Sequence, residues 1–299
     1  MTLEQLRIFV AVAEREHVTR AAEDIRLTQS AVSSAIAALE NRYGVLLFDR
    51  LGRGIALTQP GKLFLAEAKA VLARAKDAEA ALQELAGLKR GRLAVEASQT
   101  IGSYWLPKHI LSFRRAWPNV EVSFKISNTA RVERAVAEGA ADIGFIEGEI
   151  ENPALEQHAF LADRLSLVIG ASHPWRISPP KTASDLEQSA WIVRERGSGT
   201  RSHFEAALAA VGVLMERLNI VAEMPTNEAV CAAVETADCA TAISELVVDG
   251  GLFAERLFEV PFRLPSDRQF LWLNHRDRRI SKAALAFIGV TGLEGRSLQ

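Results

Sequence analysis

Thr28-Gln29-Ser30-Ala31-Val32-Ser33-Ser34-Ala35-Ile36-Ala37-Ala38-Leu39 is the stretch whose reading decides the fold. Thr28 places a hydroxyl acceptor where the first-turn N–H groups of a helix lack partners, so it reads as an N-cap. At helical spacing Val32, Ala35, Ile36, Leu39 and Tyr43 share one face, and Ser30, Ser34, Ala37 and Asn41 share the opposite one. That outer face is thin and polar. A helix of this kind can lie deep in a DNA major groove, its first turn meeting phosphates and base edges. Taken alone, the simpler reading is an ordinary amphipathic helix with a Ser/Ala surface; the flanking sequence reverses that preference.

Upstream, Thr2-x-x-Gln5 forms a capping box for a helix with Leu6, Phe9, Val10 and Ala13 on one stripe. A short helix from about Thr19 to Ile25 turns Ala21, Ala22 and Ile25 inward, and Arg26-Leu27 leads into the Thr28 helix. Downstream, Leu47-Phe48-Asp49-Arg50 and Ile55-Ala56-Leu57 flank Gly52-Arg53-Gly54, a small hairpin with arginine at its tip. Three helices and such a hairpin make a winged helix-turn-helix over residues 1–58, whose third helix reads double-stranded DNA. On this reading Thr28, Gln29, Ser30, Ser33 and Ser34 face bases or phosphates, Arg50 or Arg53 grips the flanking backbone, and Arg20 contacts phosphate. Only Gln29 is long enough for a bidentate base contact, so duplex shape and half-site spacing carry much of the specificity.

Leu6-Arg7-Ile8-Phe9-Val10-Ala11-Val12-Ala13, Thr19-Arg20-Ala21-Ala22, Gln29-Ser30-Ala31-Val32-Ser33, Leu47-Phe48-Asp49-Arg50 and Leu57-Thr58-x-x-Gly61 stand in order at fixed separations. Together they resemble the LysR-type transcriptional regulators. The resemblance implies an α/β protein with an N-terminal winged helix-turn-helix, a long linker helix and a two-lobed, periplasmic-binding-protein-like (type II) effector domain.

Composition sets bounds. A chain of 299 residues with 48% apolar content can build more than one core. Up to Arg90 there are 13 Lys and Arg against 11 Asp and Glu, so non-specific phosphate attraction is modest and affinity calls for paired subunits. No apolar run follows a basic start and none nears the roughly 20 residues a bilayer span needs. A soluble, cytoplasmic protein without a membrane partner is the expectation. The two cysteines, Cys231 and Cys239, fall in a helix and at the following strand, and read as small buried hydrophobes rather than a redox pair. A cysteine-based sensor is the alternative they leave, and unchanged DNA binding and thiol titre after peroxide would exclude it.

After Thr58 and Pro60 helix formers continue to Gly87, and Phe64, Ala68, Val71, Ala75, Ala78, Leu82 and Leu85 are spaced as a heptad seam. About 28 residues would span roughly 40 Å, too long for a winged-helix domain alone. Residues 59–90 are therefore expected to be a linker that pairs with a second copy, giving two recognition helices and a pseudo-palindromic site. The assembly is a homodimer or homotetramer.

From Gly91 onward strands alternate with helices, as in an α/β domain spanning 91–299. Strands are expected at Arg92–Ala97, Val120–Ile126, Asp142–Glu147, Leu165–Ile169, Trp191–Val193, Leu218–Ala222 and Gln269–Leu273. Helices are expected over Tyr104–Trp117 and from Asn128, Thr200, Asn227 and Ser281. One lobe takes about 91–163 and 268–299, the other about 164–267. Ligands of such sheets sit beyond strand ends, where loops become helices. Four junctions qualify: Ser98-Gln99-Thr100-Ile101-Gly102, Asn128-Thr129, Gly197-Ser198-Gly199-Thr200 and Thr226-Asn227. Each offers helix-start amides, so the cleft is expected to bind a small anion. Glu147 and Glu195 follow strands and would repel one unless the ligand carries a proton or an ammonium group. Arg194, Arg196 and Arg201 can supply compensating charge, and alternation does not say which points inward.

Ile101-Gly102-x-Tyr104-x-Leu106-Pro107, Asn128-Thr129, Glu147-Gly148, His173-Pro174-Trp175 and Arg194-Glu195-x-Gly197-Ser198-Gly199-Thr200-Arg201 resemble the LysR branch that regulates sulfur assimilation and autotrophic carbon fixation. That resemblance implies sulfite or a related oxyanion, or a phosphorylated or redox metabolite, as effector. It departs at Asp238-Cys239-Ala240, where family members carry a Gly-rich strand entry, and at Ser34, often basic in the family. The expected site is Thr100, Ile101, Gly102, Asn128, Thr129, Glu147, Glu195, Ser198, Gly199, Thr200 and Thr226, with no cofactor or metal. The rival class is a solute-binding protein or an enzyme on the same two lobes. The missing export segment opposes the first; scattered His17, His109, His158, His173, His203 and His275, without ligand spacing, oppose the second. Expected partners are operator DNA, further copies of the chain, a small anion and RNA polymerase.

Overall fold

The computed structural model describes residues 1–51, 54–85, 91–249 and 256–293. The chain forms two compact units, residues 1–85 and 86–299.

In the first unit the capping box closes α1 (Leu3–Arg15) at its start: the Gln5 amide donates to Thr2 Oγ1 at 3.2 Å and the Thr2 amide to Gln5 Oε1 at 3.0 Å. After α2 (Val18–Asp24), Thr28 Oγ1 accepts the Ala31 amide at 3.3 Å and starts α3 (Gln29–Tyr43). Leu6, Phe9, Val12, Ala21, Val32, Ile36 and Leu39 form one core. The antiparallel hairpin β1 (Phe48–Leu51) and β2 (Gly54–Leu57) is tied to α3 by Glu40, whose Oε1 accepts the Leu47 amide at 2.7 Å and the Phe48 amide at 3.2 Å. Thr58 Oγ1 then accepts the Gly61 amide at 3.0 Å to begin α4 (Gln59–Leu85). Gly61 has no substitute here, because a Cβ would lie 2.1 Å from the Leu47 carbonyl oxygen.

The heptad seam needs correction at its start. Phe64 packs on Phe9 with ring centroids 4.8 Å apart, and Ala68 is fully buried, so these two positions serve the chain's own core. Among its described side chains, the large apolar ones that α4 leaves outward are Leu63, Val71 and Leu82, exposed by 67%, 42% and 70%. The Leu85 side chain and residues 86–90 lie outside the described residues.

The second unit holds two five-stranded sheets. The first runs β4 (Val120–Ser127), β3 (Gly91–Ser98), β5 (Ile143–Glu147), β12 (Arg268–His275) and β6 (Leu155–Asp163) in spatial order, with α5 (Leu106–Ala116), α6 (Thr129–Glu138) and α10 (Lys282–Thr291). The second runs β11 (Leu257–Glu259), β7 (Leu165–Gly170), β10 (Cys239–Ser244), β8 (Ala190–Arg194) and β9 (Asn219–Met224), with α7 (Gly199–Ala210), α8 (Asn227–Glu235) and α9 (Glu245–Asp249). The chain leaves the first sheet after Asp163 and returns at Arg268. Each sheet has its own core, around Phe113, Phe145, Phe270 and Phe287 in one lobe and Trp191, Phe204 and Leu208 in the other. Among the described residues no helix is long and apolar enough to cross a membrane.

Several elements differ from the sequence reading. The Tyr104–Trp117 helix begins instead with a π-turn over Ile101–Trp105 and continues as α5. β4 is an edge strand, and beyond buried Val120 its alternating residues are only partly covered, with Ile126 45% exposed. β6 and β11 were not foreseen, because both owe their strand form to antiparallel partners distant in sequence.

His173 gives this fold an acid-sensitive point. It is buried, its Nδ1 accepts the Trp175 amide at 3.1 Å and its Nε2 meets Ser189 Oγ at 3.0 Å. Burial pushes its pKa below 6.5, against a smaller opposing pull from Asp238, and burial also lowers His109 and His203. A histidine with a lowered folded pKa binds more protons when unfolded, so its contribution is complete above about pH 6.5 and declines as pH falls through the folded value. Thermal unfolding is expected at a lower temperature at pH 5 than at pH 7.5, with a shallower dependence in His173→Gln. Equal pH dependence in both proteins would contradict this.

Candidate functional site

The DNA-reading candidates stand at the cap and first turns of α3. Thr28, Gln29, Ser30, Ser33 and Ser34 are all exposed, while Val32, Ile36 and Leu39 hold the opposite face in the core. Thr28 Oγ1 is engaged at the cap and lies 3.1 Å from Ser30 Oγ, so it fixes the first turn. Arg20, on α2, is exposed; its amide donates to His17 Nδ1 at 3.4 Å. Arg50 stands on β1, but its side chain and all of Arg53 lie outside the described residues.

The second candidate is the seam between the two lobes. Here the helix-start amides are less open than the sequence suggested. Asn128 Oδ1 caps α6 through the Arg131 amide at 3.1 Å, and Thr226 Oγ1 caps α8 through the Ala229 amide at 3.1 Å. The Asn227 amide is taken from across the seam by Gln99 Oε1 at 3.0 Å, and the Ala130 amide by the Gly197 carbonyl at 3.1 Å. Ser198, at the start of α7, makes no side-chain capping bond. A chain forms local caps wherever a side chain can reach, and opposing lobes supply the remainder.

Arg194, and not its neighbours, faces inward. It is 5% exposed and donates to Asn227 Oδ1 at 2.7 Å, to Gln99 Oε1 at 3.3 Å and to both carboxylate oxygens of Glu195. Arg201 is buried within its own lobe against Glu205 and Glu223, and Arg196 is exposed. Glu195 also accepts from Asn128 Nδ2 at 3.1 Å, which makes it a bridge between lobes. Thr100 is fully buried and accepts from Asn227 Nδ2 at 3.1 Å, with Ile101 and Gly102 packed behind it.

Beside this seam lies a cleft of about 630 Å³ lined by Thr129, Glu133, Glu147, Gly199, His203 and Arg268, among others. Glu147 is 4% exposed and accepts from Thr129 Oγ1 at 3.3 Å. A Cβ on Gly199 would lie 2.6 Å from Thr129 Oγ1, 2.6 Å from the Glu147 carbonyl oxygen and 3.0 Å from Glu147 Oε2. The Glu147 carboxylate therefore sits against the first turn of α7, the positive end of that helix. Thr200 is buried behind this turn and accepts from Arg268 Nη1 at 3.4 Å. Arg268 in turn pairs with buried Asp163, joining the two strands that cross between lobes. Glu133, Glu149 and Asp267 complete an acid-rich lining, and the Arg268 guanidinium is neutralised by Asp163.

Of the expected effector residues, Thr129, Glu147 and Gly199 line the open cleft. Thr100, Asn128 and Glu195 are committed to bonds across the seam, and Thr226 to its own helix. Gln99, Asn227, His203 and Arg268 were missed. Gln99 and Asn227 stand inside quoted junctions, Gln99 directly after β3 and Asn227 at the start of α8. Arg268 and His203 gave no such signal. Cys231 and Cys239 are free and buried in one apolar cluster. Burial, with Glu228 and Glu235 nearby, pushes the Cys231 thiol up to about 12, and burial raises Cys239 too, which disfavours reactive thiolates.

A winged-helix head with an exposed third helix, followed by paired α/β lobes around a cleft, defines a DNA-binding regulator with an effector domain. The helix-turn-helix model of the bacterial regulatory lysR family matches residues 3–62, and the LysR substrate binding domain matches residues 86–292. The chain belongs to the LysR family of transcriptional regulators. It is 32% identical over 289 residues to the uncharacterized HTH-type transcriptional regulator YeiE of Escherichia coli strain K12, covering 96% of each chain. It is 33% identical over 290 residues to a probable RuBisCO transcriptional regulator of Nostoc sp. strain PCC 7120, covering 96% of this chain and 86% of that one. Among solved structures, the Synechocystis PCC6803 CcmR regulatory domain in complex with 2-PG superposes with a TM-score of 0.62 at 21% identity, over 70% of this chain and 99% of that one. These relatives are regulators rather than enzymes.

Proposed function

We propose that this LysR-type regulator reads operator DNA as a dimer or tetramer through α3 and responds to a small oxyanion that keeps a proton, sulfite or a close relative, bound in the inter-lobe cleft. The observation that carries the ligand class is Glu147 beside the uncapped start of α7. Amides there donate to a negative oxygen, and the carboxylate accepts the ligand's own O–H, a combination that a fully deprotonated anion cannot use. The departing chain direction at Asp163 and the returning one at Arg268 make the lobes a hinged pair, and unequal binding to open and closed forms is what would couple the ligand to DNA. Operator binding places the protein with the chromosome in the cytoplasm, where RNA polymerase is its further partner.

A thermal-shift series on the full chain tests the class. Sulfite and phosphate retain a proton near neutral pH and sulfate does not, so stabilisation is expected from one of the first two and not from sulfate. At about a hundred times Kd the gain corresponds to roughly 2.7 kcal/mol. Equal shifts with sulfate, or none with any, would refute it. The cleft, at about 630 Å³, is larger than a lone oxyanion fills, which favours 2-PG as a second reading and as the fourth ligand of the series.

Pairing is assigned to the outward stripe of α4. Val71→Asp with Leu82→Asp puts two charges on that stripe without entering the core, and is expected to halve the particle mass or more and weaken DNA binding. An unchanged mass by light scattering would remove α4 from the interface.

A further inference from the structure

Gln99 directly follows β3 in the first lobe and is 6% exposed, yet its main partners belong to the second lobe. Its Oε1 accepts from the Asn227 amide at 3.0 Å and from Arg194 Nη1 at 3.3 Å; its Nε2 donates to Ser103 Oγ at 3.2 Å and to the Glu228 carboxylate. Both lone-pair directions and both N–H groups of the carboxamide are thus used. The Asn227 amide and the Arg194 guanidinium are the donors that a ligand oxygen would seek at the start of α8, and both belong to residues at most 5% exposed.

We propose that Gln99 is a latch: its carboxamide oxygen occupies this donor pair and holds the lobes together, which keeps Glu147 against the start of α7 and the effector site assembled. This rests on the inter-lobe cleft being the effector site. Opening the lobes strips Gln99 of three partners in the second lobe at one stroke, and the Tyr104 hydroxyl, 2.9 Å from Glu228 Oε1, follows on the same rim. On the far rim, the Ala130 amide to Gly197 carbonyl bond shares no partner with Gln99, whereas the Asn128–Glu195 bond is linked to Gln99 through Arg194. Water satisfies the released groups, so each bond holds the lobes only weakly and the latch can open.

Amide hydrogen exchange on the full chain, comparing wild type with Gln99→Met, tests the latch. Methionine fills the space and withholds the oxygen; Gln99→Ala is the second variant should the first fail to fold. Exchange is expected to rise roughly tenfold or more at Asn227 and also at Ala130 on the far rim, whose amides bond across the seam, because the lobes part as units. The apparent affinity for sulfite is expected to fall by a similar factor, because parted lobes no longer hold Glu147 against the start of α7. Tyr104→Phe, which removes only a rim bond, should leave the far rim unchanged. Faster exchange confined to Asn227, with Ala130 as protected as in wild type, would overturn the latch and leave Gln99 a filler. Absence of any sulfite response in wild type would count against the proposed ligand class, while the exchange result would still decide the latch.

Discussion

Gly199→Val is expected to abolish the response to small molecules while leaving the DNA-reading head intact. The new Cβ would stand 2.6 Å from Thr129 Oγ1 and 2.6 Å from the Glu147 carbonyl oxygen, and both contacts cross the seam. Neither can yield cheaply: the carbonyl belongs to β5, and the hydroxyl belongs to the first residue of α6. Overpacking of this kind costs about 1–3 kcal/mol, which for a chain of this size lowers the melting temperature by roughly 2–10 °C. The lobes relieve the clash by separating, which displaces Glu147 from the start of α7 and removes the site that a hydrogen-bearing oxyanion needs. Gly91→Ala, where a Cβ meets nothing within 4 Å, is the control and should behave as wild type. Isothermal titration of both variants with sulfite, alongside their melting curves, checks the expectation. A Gly199→Val protein that bound ligand as wild type does would dissociate the α7 start from effector binding.

Ser30→Glu with Ser33→Glu is expected to remove DNA binding with no loss of fold. Both serines are exposed on α3, and Ser30 lies in its first turn, where a carboxylate favours the helix. Against a duplex the same charges face phosphates. With penalties of about 1–3 kcal/mol for each spoiled contact, the pair should weaken binding by roughly two orders of magnitude or more. Circular dichroism should show an unchanged melting transition while fluorescence anisotropy shows the loss. Retained affinity would mean that α3 does not enter the groove.

Much of the head was legible because its determinants are local. Thr2, Thr28 and Thr58 cap the helices they precede, and the apolar spacing of Leu6, Phe9, Val32, Ile36 and Leu39 gives the core directly. The alternation of β3, β5 and β8 with helices was equally plain, since buried parallel strands declare themselves by composition. What was hidden depends on partners far apart in sequence. β6 pairs with β12 across more than a hundred residues, and neither Leu155-Glu156-Gln157 nor His158-Ala159 carries the alternation of an isolated strand. The seam of α4 was misplaced by its first two members because Phe64 and Ala68 obey the heptad and also fit the head's core. In the cleft, spacing identified the junctions but not the lobe-to-lobe bonds that fill them. Gln99 to Asn227 spans 128 positions, and Arg194 to Gln99 spans 95.

The most direct test of the central claim, a DNA-reading head governed by a ligand-binding pair of lobes, is selection of the full chain against a random duplex library, followed by affinity measurement on the selected sequence with and without sulfite. The expected result is a pseudo-palindrome with half-sites an integral number of helical turns apart, bound with an affinity that changes when the ligand is added and does not change in Gly199→Val. Enrichment of no sequence, or of one whose affinity is indifferent to every ligand in the series, would contradict it.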